Sequence, residues 1–218
     1  KEVEVYRSSS DVRLVVLDQK GGTRASALNA GVNVASYPIV AVTNPALRLA
    51  KDILLKTVYA FVGDSACVFI GAYPRVAVTA DGGEERQPKT LAELQNIERL
   101  QTLYSRRVGY AGIGMYLPMQ ASFGAFLKSA VTEAGGFSER ADAENADMLL
   151  RIHARLRAEK RVYSVRLLPD AVCYQLPETE LKQVLAETAD AQRAMKQTLR
   201  QLPFAARSLP GVRYTRLA

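Results

Sequence analysis

The sequence predicts an α/β fold in which a mostly parallel sheet is covered by helices on both faces. Three observations carry this. Short apolar runs, among them VRLVVL at 12–17 and PIVAVT at 38–43, alternate with longer segments of helical period. PIVAVT has no polar face, as expected of a strand buried on both sides. At 218 residues the chain is long enough for one domain with a sizeable core, and it shows neither an internal repeat nor a low-complexity tract.

Residues 1–10 read as a helix end and a polar turn, and 12–17 as a short strand. Lys20-Gly21-Gly22-Thr23 is a turn in which Thr23 is placed to cap a helix over 24–35, with Ala25, Leu28 and Val32 on one face. After the strand at 38–43, residues 51–62 form an amphipathic helix whose apolar side is Leu54, Val58 and Phe61. A strand follows at 66–72, extended by or paired with 73–79, and then a polar loop at 80–89. Leu91, Leu94, Ile97, Leu100 and Tyr104 mark a long helix. A strand near 121–126 and a short helix at 128–134 lead into Gly135-Gly136. A helix covers 143–157, strands follow at 162–167 and 171–175, and the last helix spans 178–202. The domain is therefore 1–202, and 203–218 is a basic, loosely ordered or docking tail.

Hydrophobic residues at 48% and charged residues at 23% are what a globular core requires. A net charge of +7, concentrated toward the C-terminus, points to an anionic partner: phosphates, nucleic acid or an acidic membrane face. Cys67 and Cys173 lie in apolar runs, as buried thiols of a reducing compartment do. With no signal peptide visible, this implies a cytoplasmic location, or the cytoplasmic face of the inner membrane. The start at Lys1 rather than Met reads as a piece of a longer protein. Residues 108–127 carry no charge and could span a bilayer, but their glycines, Pro118, Gln120 and Ser122 favour a buried loop and a core strand. His153, the single histidine, cannot build a His-rich zinc site, and there is no phosphate loop or cysteine pair at metal spacing.

Five segments carry the functional signal. Residues 22–31 read GTRASALNAG. The strand at 38–43 ends in Asn44-Pro45-Ala46. Residues 122–126 read SFGAF, with Lys128 close behind. Residues 135–151 read GGFSERADAENADMLLR, and 192–196 read QRAMK. In this order, and over nearly the whole chain, they resemble the processive family 2 glycosyltransferases, the group of cellulose, hyaluronan and poly-N-acetylglucosamine synthases.

The resemblance implies a GT-A, Rossmann-like fold and assigns roles by position. Arg24 stands for the family's lysine and Asn29 for the asparagine that supports the donor pocket. Asn44 and Ala46 occupy the Asp-x-Asp positions that would hold Mg or Mn against the diphosphate. Phe126 and Lys128 fall in the acceptor segment, Glu144-Asn145 replaces the Glu-Asp pair that supplies the base, and Gln192, Arg193 and Lys196 lie on the Q-x-x-R-W helix. The family's first strand, with its acidic nucleotide loop, has no counterpart before Val12; it is either upstream of Lys1 or lost.

Three of these sites lack the residue type their chemistry needs. An amide at Asn145 cannot take a proton near neutral pH. Asn44 is a weak ligand, Pro45 has no N–H and Ala46 no side-chain oxygen, so no metal cofactor is expected. Met195 replaces the arginine that would meet the diphosphate, and Lys196 the tryptophan on which an acceptor sugar would stack. Asp147 is two residues past Asn145, on another helix face, and is spaced to pair with Arg151 instead. Plain structural roles also fit: a capped core helix at 22–35 and a solvated basic face at 192–196.

Three functions follow. The first is a degenerate, non-transferring module of polysaccharide or cell-envelope biosynthesis, with UDP or a UDP-sugar, a synthesis-complex protein or a membrane surface as partners. The second is a metal-independent transferase with Glu144 as base and Arg24, Lys128, Arg193 and Lys196 neutralising the diphosphate. The third, nucleic-acid binding, rests on charge alone and lacks aromatic residues among the basic runs.

Overall fold

The computed structural model describes residues 3–11, 13–77, 89–104, 108–109, 123–141, 143–176, 178 and 180–201. Residues 80–88 of the expected loop, most of the uncharged stretch at 108–127 and the tail at 203–218 lie outside them, while Lys89 opens a helix. Among the described residues no helix is long and apolar enough to cross a membrane.

The order is β1 (Val3–Arg7), β2 (Val15–Gln19), α1 (Arg24–Val34), β3 (Ile39–Val42), β4 (Leu47–Leu49), α2 (Ile53–Val62), β5 (Cys67–Val76) and α3 (Lys89–Thr102). Then come β6 (Gly124–Leu127), α4 (Lys128–Glu133), α5 (Glu144–Ala158), β7 (Ser164–Gln175) and α6 (Leu181–Gln201). β1 and β2 form an antiparallel ribbon, and the other five strands a sheet of order β3-β6-β5-β7-β4.

The α/β class holds, but the sheet is mixed rather than mostly parallel. Among the described pairings only β5–β7 is parallel, while β3–β6, β5–β6 and β4–β7 are antiparallel. Since β6 opposes both of its neighbours, β3, β5 and β7 still share one direction. A parallel frame therefore survives with an opposed strand inserted. Strand–helix alternation reveals how many strands there are, not which strand lies beside which.

β5 is buried along nearly its whole length, as a central strand covered on both faces must be. Alternate residues feed two cores. Phe69, Phe126 and Val165 pack with Ala25 and Val32 of α1, Val131 of α4 and Met148, Leu149 and Ile152 of α5. Ile70, Ala125 and Cys173 pack with Ile53 and Phe61 of α2.

Several expectations need correction. Residues 3–7 form a strand, not a helix end: Val3 and Val5 alternate with polar partners, and Tyr6 lies opposite Val16. β4, only three residues long, was not foreseen. The two strands expected at 162–167 and 171–175 are one, β7. Its register to β5 jumps from Ala72↔Leu168 to Tyr73↔Val172, so 169–171 bulge out around Pro169, which has no N–H for a ladder. In α2 the buried side is Ile53, Thr57 and Phe61, with Leu54 and Val58 exposed. In α3 Leu94, Ile97, Leu100 and Tyr104 are exposed, and Ala92, Gln95 and Leu103 face inward. Polar bonds decide this helix's rotation. Asn96 brackets Val76, accepting its N–H at 2.9 Å and donating to its carbonyl at 3.0 Å, and Gln95 donates to the Glu178 carbonyl at 3.2 Å.

α6 meets the end of β7 through a polar junction in which Arg99 donates to Gln175 and Gln175 donates to Glu187. Partial desolvation at this junction, then the neighbouring Glu178, raises the carboxyl of the exposed Glu187 above its ordinary value. A raised acid favours the folded state while protonated, and that advantage is lost as pH climbs from the unfolded to the folded value. Glu187→Gln is therefore expected to raise the melting temperature at pH 7 and to make no difference below the ordinary carboxylate range, as thermal melts across pH will show.

Candidate functional site

The site is organised by α1 and the turn before α5. Thr23 begins α1 with a capping box: its hydroxyl accepts the Ser26 N–H, and the Ser26 hydroxyl accepts the Thr23 N–H. The cap was legible in the sequence; the returning bond from Ser26, where Glu or Gln is usual, was not.

Asn29, one turn further along, holds the backbone of Phe137. Its Nδ2 donates to the Phe137 carbonyl at 2.8 Å, and its Oδ1 accepts the Phe137 N–H at 2.7 Å. Gly136 has φ +72, and a Cβ there would stand 2.7 Å from Asn29 Oδ1. Glycine is thus required twice, by the left-handed backbone and by the close carboxamide. The observed role of Asn29 is this clamp between the ALN and GGF segments.

Past the turn, α5 begins at Glu144. Its Oε2 lies 3.6 Å from Arg24 Nη1, at the start of α1. The residue expected at the donor diphosphate and one of the pair expected to supply the base therefore face each other. Asn145 is buried, with its Nδ2 3.5 Å from where a Cβ on Gly124 would be. Asp147 pairs with Arg151 at 2.7 Å as its spacing predicts, and Arg151 also donates to the Ala134 carbonyl, tying α5 to the end of α4.

Asn44 closes the turn between β3 and β4. Its Oδ1 accepts the Ala46 N–H at 3.0 Å and its carbonyl accepts the Leu47 N–H at 2.9 Å, with Ala46 exposed. This turn and Gly124 both lie at the end of the sheet where β3 finishes and β6 starts.

The remaining candidates do not converge here. Phe126 is fully buried, its ring 4.7 Å from Phe69 and 5.9 Å from Phe137, and offers no surface to an acceptor. Lys128 is at the other end of β6, where Nζ donates to the Ala35 carbonyl at 2.6 Å and the backbone N–H to Pro38. On α6, Met195 and Thr198 face inward while Gln192, Arg193 and Lys196 are exposed, Arg193 pairing with Asp190 at 2.6 Å. The inward side of α6 thus excludes the side chains chosen from the motif.

Cys67 and Cys173 are free and buried, and burial raises the Cys67 thiol, leaving no reactive thiolate there. His153 Nδ1 meets the Tyr163 hydroxyl at 2.7 Å, and that hydroxyl accepts from Arg157 Nε, so the single histidine is tied into a local contact with Tyr163. Among the described residues no group of three or more His, Cys, Asp or Glu could hold a metal ion.

No protein-family model and no curated protein matches the chain. A solved structure does: the mannosyltransferase PcManGT from Pyrobaculum calidifontis, in complex with GDP-mannose and Mn2+, superposes with a TM-score of 0.60. The chain has a glycosyltransferase fold. Identity is 18%, and the match covers 92% of this chain but only 51% of that one, so the chain spans about half the length of this neighbour. In this chain's own contacts Arg24, Glu144, Asn145 and Asn44 lie toward one end of the sheet, and Lys128 at the opposite end.

The clamp can be measured. Asn29→Ala removes both bonds to Phe137 and is expected to cost about 2 kcal/mol in urea unfolding. Gly136→Ala is expected to cost at least about 1 kcal/mol through its positive φ. The double variant should cost less than the sum, because both changes break one contact.

Proposed function

We propose that this glycosyltransferase-fold domain is a non-transferring module of polysaccharide or cell-envelope biosynthesis, engaging a nucleotide sugar or glycan, and a synthesis partner or membrane face, without group transfer. The observation that carries this is the start of α5. Where a base is needed, Asn145 presents a buried carboxamide, and the carboxylate beside it, Glu144, is engaged by Arg24. The Asn44–Ala46 turn supports the same reading. Asn44 Oδ1 already accepts a backbone N–H, and neither Pro45 nor Ala46 has a side-chain oxygen, so these residues do not fit a divalent cation.

Metal-independent transfer has one observation in its favour, the meeting of Arg24 and Glu144. Of the other cations it would recruit, Lys128 is held at the far end of β6, Arg193 pairs with Asp190, and Lys196 is exposed on α6.

Incubated with UDP-sugars and GDP-mannose, with and without Mn2+, the domain is expected to release no nucleotide above buffer. Asn145→Asp should not change this, because it supplies no metal ligand. Chelator-insensitive release that is abolished in Glu144→Gln would establish the second reading, and Mn-dependent release would overturn both.

A further inference from the structure

Helix α2 is apolar on both sides. Ile53, Thr57 and Phe61 close over the core, while Leu54, Leu55, Val58, Tyr59 and Val62 are 45–77% exposed. At 3.6 residues per turn these five fall in one stripe down the helix. Single exposed leucines are ordinary, but five large apolar side chains on a helix of 10 residues form a continuous patch. Lys56, the one charged residue within α2, does not break it. Its ammonium turns aside to pair with Asp52 at 2.8 Å and to donate to the Asp170 carbonyl at 2.7 Å.

The order of the stripe suits a second copy of itself. A two-fold contact requires a patch that complements its own reversal. With two α2 helices antiparallel, Leu55 of one copy falls opposite Val62 of the other and Val58 opposite Tyr59. Leu54 then falls opposite Gly63, which has no side chain to obstruct it. The ends match as well. Lys51 is exposed one turn before Leu55, and the last turn of α2 has no basic side chain to complement its carbonyls. Reversal sets Lys51 of each copy beside the carboxyl end of the other helix. The stripe offers roughly 500 Å² on each copy, so a pair buries about 1,000 Å², the lower bound of a specific interface. A lipid surface fits less well. Asp52, Asp64 and Asp170 flank the helix along with Lys51 and Lys56, which leaves no excess of positive charge for anionic headgroups.

We propose that α2 is the contact through which two copies of this chain pair, as an antiparallel helix pair whose two-fold axis passes between Val58 and Tyr59. Pairing through α2 is independent of whether the domain transfers a sugar.

Sedimentation of the 218-residue chain from low to high micromolar concentration tests this, with a reversible monomer–dimer equilibrium as the expected result. Val58→Glu sets two carboxylates against each other at the axis and should weaken pairing at least about a hundredfold. Because Val58 is exposed, the melting temperature at a concentration where the unaltered chain is monomeric should not change. Lys51→Glu should weaken pairing several-fold, and more so at low salt. Ile97→Glu, on the exposed apolar side of α3, should pair like the unaltered protein. Mild oxidation of Val58→Cys should give a disulfide-linked dimer, and of Ile97→Cys none, with Cys67 and Cys173 buried in both. The proposal is overturned if the chain is monomeric at every concentration, if association survives Val58→Glu, or if Ile97→Cys cross-links as well as Val58→Cys. Vesicles of phosphatidylethanolamine and phosphatidylglycerol that bind the unaltered chain and not Val58→Glu would overturn it in favour of a lipid surface.

Discussion

The carboxamide of Asn29 holds the backbone of Phe137 from both sides, and much of the domain takes its position from that contact. It joins α1 to a turn 108 residues later in the chain. Once the Phe137 backbone is fixed, its ring meets Phe126, and Phe126 meets Phe69 on the central strand. The same turn leads into α5, whose first residue then faces Arg24 at the start of α1. One helix thus sets both a core aromatic chain and the polar pair at the surface. The contact tolerates no side chain at Gly136, which is why the sequence carries glycine there.

The sheet divides into two parts with different tasks. From Phe69 to Gly71, β5 is flanked by β6 on one side and β7 on the other, and this part is packed between the two cores. Beyond Ala72 the bulge around 169–171 changes the register, and β5 and β7 continue as a tip that takes on β4. A bulge bends and twists the strand that carries it. The tip therefore carries the exposed Arg48 and Arg75, which would be out of place in the packed part.

Local signals in the sequence survived into the structure. The Thr23 cap, α1 with its Ala25–Leu28–Val32 face, β3, the buried thiols and the Asp147–Arg151 pair all depend on residues a few positions apart or on plain hydrophobicity. What was illegible depends on partners far away. The inward side of α3 is set by Asn96 on Val76 and Gln95 on Glu178, which outweigh a well-formed apolar stripe on the same helix. β6 lies between β3 and β5 though it comes later in the chain, so its antiparallel sense had no local mark. Phe126 and Lys128, chosen from one motif, were separated by burial: the first became core and the second a tie to the end of α1.

This division also bears on the proposed non-transferring role, because it lets a glycosyltransferase fold stay intact without the family's catalytic side chains. The contacts that position the site bind main chain: Asn29 to Phe137, Arg151 to Ala134 and Asn44 to Ala46. None needs a carboxylate at residue 145 or at the Asn44–Ala46 turn. An aspartate at 145 would be a buried anion next to Glu144, with desolvation and like-charge repulsion both opposing its ionisation. A carboxamide fills the same space without either cost. If transfer is not required, as proposed, the physical pressure at this position favours the amide, since active-site charges are commonly kept for function at the expense of stability. On the proposed reading, Asn145 is therefore the residue expected where the scaffold is retained without the proton transfer.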